Sequence, residues 1–331
     1  MTQQQLTEYN LGQTLDDLAN LDPRGYGVCR ILYDAARGAM GGPLCMRAAK
    51  GLARAARPGD FVYLLTGFVL APFGKAETDG AVGAALLARA LAKGLGAVPV
   101  LVCPQEAVQA ARALADLCGL PGCRVIAFTK DAKEAPARAG ALLAEAPPAA
   151  VVSIEAPGAD AAGAYHNAAG SDVTALEAKL DAIFLACQQR GIPTVAIGDL
   201  GNEIGMGAIA AQLARYVPCR PAATAADHLI TATVSDWGCY ALIAALAFLR
   251  GDAGVMHGAE LERAACETAA HNGLIDMTGE SVPAIDGFGP EINMPIVTLM
   301  RECVRKALAL RETCAPWFEK VIELGYFENR T

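Results

Sequence analysis

Six apolar runs of strand length recur along the middle of this 331-residue chain. They occupy residues 61–66, 98–102, 124–128, 149–154, 193–197 and 228–233. Stretches of helical length separate them, at 81–93, 105–118, 135–145, 173–190 and 208–215, and another follows at 239–249. Runs that are continuously apolar, without alternation, mark strands covered on both faces. Alternation with helices then predicts an α/β fold: a mostly parallel, Rossmann-like sheet with helices on both faces. Right-handed crossovers bring every strand's carboxyl end to one edge, where such folds place their sites. Residues 1–57 read as an N-terminal helical segment, with helices at 11–21 and from 41 or 43 to 56. Residues 58–250 are the sheet core. Residues 251–331 form a helical C-terminal part, with helices at 259–273 and 291–324 around a glycine and proline loop at 279–290. Neither a repeat nor a low-complexity linker divides the chain, so residues 1–331 are expected to form a single domain.

The chain is 53% hydrophobic and 19% charged, which suits a globular core and excludes disorder. A net charge of −8 offers no basic footprint for nucleic acid or for a membrane surface. The first residues, Met1 to Gln5, have neither the basic nor the apolar region of a signal peptide. No uncharged apolar stretch reaches the length of about 18 residues that a membrane span needs. The eleven cysteines are odd in number, lack a CxxC pair and sit singly among apolar neighbours. They read as buried reduced thiols, and the expected location is cytoplasmic. Nothing in the pattern fixes oligomeric state, which leaves room for a homo-oligomer.

Polar groups collect after particular strands. The candidates are Glu77, Thr78 and Asp79; Glu155; Tyr165 and Asn167; Asp199, Asn202 and Glu203; and Ser235, Asp236 and Tyr240. Thr78, Asp79 and Ser235 are equally natural as helix caps, although convergence of several such loops on one edge favours a site. The stretch Gly205-Met206-Gly207-Ala208-Ile209-Ala210 matches the dinucleotide pattern G-x-G-x-x-G/A, but Gly205 lies seven residues beyond the strand end near Gly198. That fingerprint needs its first glycine almost directly after the strand. No nicotinamide site is therefore expected, and no phosphate-loop motif supports ATP. Gly201, Gly205 and Gly207 before a helix instead suit a carboxylate ligand. His166 is the one histidine in a polar strand-end loop, and no spacing suggests zinc. Clustered acids such as Asp79, Asp199 and Glu203 suit a divalent cation, Mg²⁺ or Mn²⁺, and serve equally as acid and base.

Several segments together resemble the C-terminal domain of the D-glutamate cyclase family. They are Asp22-Pro23-Arg24-Gly25, Thr66-Gly67-Phe68, Glu77-Thr78-Asp79-Gly80, Val152 through Gly158, Tyr165-His166-Asn167, Gly198 through Gly207, and Ser235 through Leu242. Leu200 and Cys239 stand where the family pattern has glycine, Asp236 where it has asparagine and His166 where it has tyrosine. The resemblance implies an enzyme of the carbon–oxygen lyase class, closing D-glutamate to 5-oxo-D-proline with loss of water. Its partner is then a small acidic amino acid. The amine must lose a proton and the γ-carboxylate must be neutralised. Glu203 or Asp199 is expected to do the acid/base work, with Glu77 and Asp79 as further candidates. Thr78, Gly201, Asn202, Gly205, Gly207, Ser235, Asp236, Trp237 and Tyr240 would line the substrate, and Glu155, Tyr165 and Asn167 would hold its ammonium. Another lyase or hydrolase of a small acidic amino acid or lactam, and a non-catalytic binder of an acidic metabolite, are the alternative functions.

Overall fold

The computed structural model describes residues 1–310 and 315–328. Three helices open the chain: α1 (Gln3–Ala19), α2 (Val28–Met40) and α3 (Leu44–Ala55). Strand β1 (Phe61–Thr66) leads through a small hairpin, β2 (Val69–Leu70) and β3 (Lys75–Ala76), into helix α4 (Ala81–Leu95). The alternation continues with β4 (Val98–Cys103), α5 (Val108–Leu117), β5 (Arg124–Ala127), α6 (Ala135–Glu145), β6 (Pro148–Ile154) and α7 (Asp181–Gln189). It closes with β7 (Thr194–Gly198), α8 (Ala210–Tyr216), β8 (His228–Thr231) and α9 (Ser235–Arg250). Helices α10 (Ala259–His271), α11 (Pro290–Leu310) and α12 (Ala315–Glu323) follow.

The main sheet has six strands in the order β5-β4-β1-β6-β7-β8, every neighbouring pair parallel. This is the Rossmann-like arrangement expected from the apolar runs. Right-handed crossovers on the β1-β4-β5 side and on the β6-β7-β8 side place helices on opposite faces. Accordingly α4 packs against α9, and α6 packs against α7. Helix α9 is buried from Ser235 to Phe248. It packs against α1, α3, α4 and α11, and is hydrophobic nearly all round because it has no solvent face. No described helix is long and apolar enough to cross a membrane.

The strands lie within one or two residues of their expected limits; the helices differ more. Helix α1 begins at Gln3, eight residues before the expected start, because Thr2 and Gln5 form a reciprocal capping box. Helix α2 was not expected at all. The helix foreseen at 173–190 is confined to Asp181–Gln189, since residues 173–180 turn inward to bury Glu177 and Lys179. Helix α9 starts at Ser235, so the Ser235-Asp236-Trp237-Gly238 segment is its first turn. The stretch foreseen as one helix over 291–324 is α11 and α12, and residues 311–314 lie outside the described residues.

Candidate functional site

Strands β1 and β6 are neighbours, with Thr66 opposite Ile154. From them the chain leaves in opposite directions, toward β4 and toward β7. Such a switch point opens a crevice at the carboxyl edge of the sheet. The loop at 77–80 presses into it. Gly80 has φ 78°, and a Cβ there would lie 2.6 Å from the Glu155 Cβ and 2.8 Å from the Ile154 carbonyl oxygen. Only glycine allows that approach. Glu155 itself, directly after β6, holds a left-handed φ of 43°. Such strain in a residue other than glycine persists only where the surroundings impose it.

Asp79 and Asp236 lock the two helix starts at this edge together. Asp79 accepts hydrogen bonds from the backbone N–H of Ser235 (3.1 Å) and of Asp236 (2.9 Å) at the start of α9. Asp236 in turn accepts from the N–H of Gly80 (3.0 Å) and of Gly83 (2.8 Å) at the start of α4. Each carboxylate therefore caps the other's helix, satisfying donors that a helix start leaves open. Ser235 caps nothing; its hydroxyl donates to Glu155 Oε2 at 2.6 Å. The Thr78 hydroxyl is buried without a partner.

After β7 the chain folds around Glu203. Its Oε1 accepts from the N–H of Asp199 (3.0 Å) and Leu200 (2.7 Å), and its Oε2 from that of Gly201 (2.6 Å). The side chain is fully buried. The N–H groups of residues 204–208 are engaged as well. Gly205 and Gly207 both donate to the Thr224 carbonyl, at 2.9 and 3.0 Å. A Cβ on Gly205 would meet Ala196, and one on Gly207 the Ala223 carbonyl oxygen. These glycines thus serve close packing, and the expected open anion cradle across 205–207 is not formed.

Glu77, Asp79, Glu155, Asp199, Glu203 and Asp236 are each at most 7% exposed. Burial, and then repulsion by neighbouring carboxylates, chiefly Asp286 on Glu77, Glu203 on Glu155 and Glu155 on Asp199, push these three carboxyls well above the ordinary range. Burial and the Asp286 charge take Asp79 up to about 8, against the pull of its backbone N–H bonds. Burial and Asp79 raise Asp236. The one cation paired with this cluster among the described residues is Arg24, 3.2 Å from Asp286 and stacked on the Phe288 ring. So many buried carboxyls beside one guanidinium must hold protons or take up cations.

Asp286 and Arg24 were not foreseen as site residues. Asp286 reaches the edge from the loop before α11 with a left-handed φ of 55°, the conformation an Asp-Gly pair favours. Its carboxyl lies beside that of Asp199, an oxygen of each within 4.8 Å of the other. Two buried carboxyls so close disfavour each other's charge. Asp199 Oδ1 is buried without a partner.

Among the described residues, the other expected side chains make no hydrogen bond to these carboxyls. The Tyr165 hydroxyl donates to Asp181 at 2.5 Å, and Asn167 accepts from the N–H of Ser171 within its own loop. The Trp237 indole donates to Asn293 at 2.9 Å, tying α9 to α11. Tyr240 lies one turn beyond Asp236, its hydroxyl unpartnered and its ring edge-on to His257. Asn202 donates to the His166 carbonyl at 3.1 Å. Its Oδ1 is buried without a partner.

Two trios of carboxylates have oxygens within 4.8 Å of one another: Asp79, Asp199 and Asp286, and Glu155, Asp199 and Glu203. All offer hard oxygen ligands, and Asp199 belongs to both trios. This donor set fits Mg²⁺ or Mn²⁺.

Human mitochondrial D-glutamate cyclase is 37% identical to this chain over 103 residues, which are 30% of the chain and 17% of that protein. The match therefore spans well under a fifth of the human protein's length. The sequence pattern of the D-glutamate cyclase-like C-terminal family matches residues 15–301, from within α1 to within α11. The chain belongs to the D-glutamate cyclase-like C-terminal family.

Proposed function

We propose that the protein is a carbon–oxygen lyase that closes D-glutamate to 5-oxo-D-proline with release of water. The observation that carries this reading is the buried carboxyl cluster at the switch point, in a chain of this family. Cyclisation forms a bond between the amine nitrogen and Cδ, and one γ-carboxyl oxygen leaves as water. The ammonium must first lose a proton to a base, and the departing oxygen must gain protons. A carboxyl raised toward neutrality suits either task. Glu155, oriented by the Ser235 hydroxyl, receives the ammonium, and Asp199 takes its proton. Glu77 is the acid toward the γ-carboxyl: it is buried, its surroundings disfavour its charge, and no hydrogen bond among the described residues holds its side chain. Asp79 and Glu203, each engaged by backbone N–H groups, are positioning residues. A divalent cation held by Asp79, Asp199, Asp286, Glu155 and Glu203 would neutralise bound carboxylates. Folding the substrate back on itself supplies much of the advantage of an intramolecular step, without ATP.

The test is incubation with D- and L-glutamate, with and without Mn²⁺, followed by chiral chromatography. The expected result is 5-oxo-D-proline from the D-isomer. Absence of that product under every condition would overturn the reading. Thermal stabilisation by D-glutamate without product would make the protein a binder of acidic metabolites.

A further inference from the structure

A cavity of about 380 Å³ opens at the opposite, amino-terminal end of the sheet, beside His228 at the start of β8. Helix α3 supplies Arg47, Lys50 and Arg54 to its wall. Spacings of three and four residues put these on one face, spread over about 10 Å of helix. Glu8 is the one acid in the lining, and it is already paired with Lys50. Among the described residues neither Arg47 nor Arg54 has a side-chain hydrogen bond or an ion pair. His228 lies against Gly51, where a Cβ would come within 2.5 Å of its Nε2, and its Nδ1 is shielded without a partner. The neighbouring Asp227 is turned away, accepting from the backbone and hydroxyl of Thr194 at 2.9 and 2.8 Å. Burial, then Arg47, and more weakly Arg54, hold the His228 ring below its ordinary pKa, as expected beside cations lacking their counter-ion. Tyr9, Pro43 and Met46 add an apolar wall.

Three cations facing one acid is the reverse of the chain's net charge of −8. We propose that this cavity is a binding site for a small polyanion, with Arg47 and Arg54 as the forks that grip its anionic groups. Guanidinium forks match phosphate and carboxylate oxygens in pairs. The volume is at the small end of ligand pockets, suiting a metabolite with two or three anionic groups and a short carbon frame. Phosphorylated metabolites and polycarboxylates share this chemistry. The site is separate from the carboxyl edge, so its occupant binds alongside the acidic substrate.

Calorimetric titration at low salt with pyrophosphate, citrate and D-glutamate as separate probes tests the proposal. Saturable binding of pyrophosphate or citrate is expected, with Kd below about 1 mM. The double variant Arg47→Ala/Arg54→Ala, altered at two exposed positions, should lose roughly tenfold or more in affinity. Asp199→Asn should bind pyrophosphate and citrate unchanged, which separates the site from the carboxyl cluster. A preference for pyrophosphate or for citrate identifies the source of the anion. Equal affinity in the double variant, or no saturable binding of either probe, overturns the proposal.

Discussion

The reciprocal caps of Asp79 and Asp236 make a sharp test of what holds the carboxyl edge together. Replacing Asp236 by Ala removes an acceptor from two buried N–H groups; that of Gly80 keeps Asp79 Oδ1 at 2.9 Å, and that of Gly83 is left without one. An unsatisfied buried donor costs about 1–3 kcal/mol, which is the expected loss. Unfolding entropy of roughly 2.1 cal/mol/K per residue gives about 0.7 kcal/mol/K for a chain of this length, so the midpoint should fall by about 1.5–4 °C. Asp236→Asn keeps an oxygen facing both N–H groups, and its amide replaces Oδ2, which has no partner. Burial already disfavours charge on Asp236, so asparagine resembles its protonated form. The expected change is within about 1 kcal/mol, less than about 2 °C. Differential scanning calorimetry of the three proteins decides. If Asp236→Asn melts as low as Asp236→Ala, the side chain acts through its charge and the capping argument fails.

Four further outcomes are expected. Glu77→Gln should abolish formation of 5-oxoproline with the melting temperature nearly unchanged; retained turnover would remove Glu77 from the acid role. Glu203→Gln should lower the melting temperature as well as activity, because an amide group must then face an N–H that Glu203 accepts from on both oxygens; calorimetry beside a turnover assay separates the two losses. Mn²⁺ at about 100 times its Kd should stabilise the protein by about 2.7 kcal/mol, and chelation or Asp199→Asn should remove that gain; equal stabilisation of Asp199→Asn would exclude Asp199 as a ligand. Glu262, fully buried in α10, is raised by desolvation from 4.5 to about 7. Its folded form binds the proton more tightly than the unfolded chain does. Its contribution is therefore complete below pH 4.5 and is lost as pH rises through 7, on the order of 3 kcal/mol; Glu262→Gln should flatten that part of the stability–pH curve in denaturant titrations.

The strands were legible because burial on both faces leaves no choice of residue. Val62, Leu64, Val100, Val102, Val151 and Ile197 are almost fully enclosed, so their apolar runs carry the signal without periodicity. Helix starts were less legible for the opposite reason. Ser235 and Asp236 look like a loop after β8, yet they are the first turn of α9, since a polar first turn serves loop and helix alike. The same ambiguity hid which acids are exposed to chemistry and which brace the fold. Glu203 reads as a catalytic acid from its place in a glycine turn, while the structure shows both its oxygens engaged by three backbone N–H groups. Nothing local in Gly198 to Gly205 distinguishes those roles, because the deciding partners are main-chain atoms that appear only once the turn closes. Asp286 and Arg24 were missed because they approach from loops 262 residues apart, neither of which follows a strand of the sheet. A search restricted to strand ends finds the carboxylates but not the loops that complete their cluster, and here those loops bring both the extra acid and the one paired cation. The balance of charge, and with it the case for a bound cation, rests on those long-range contacts.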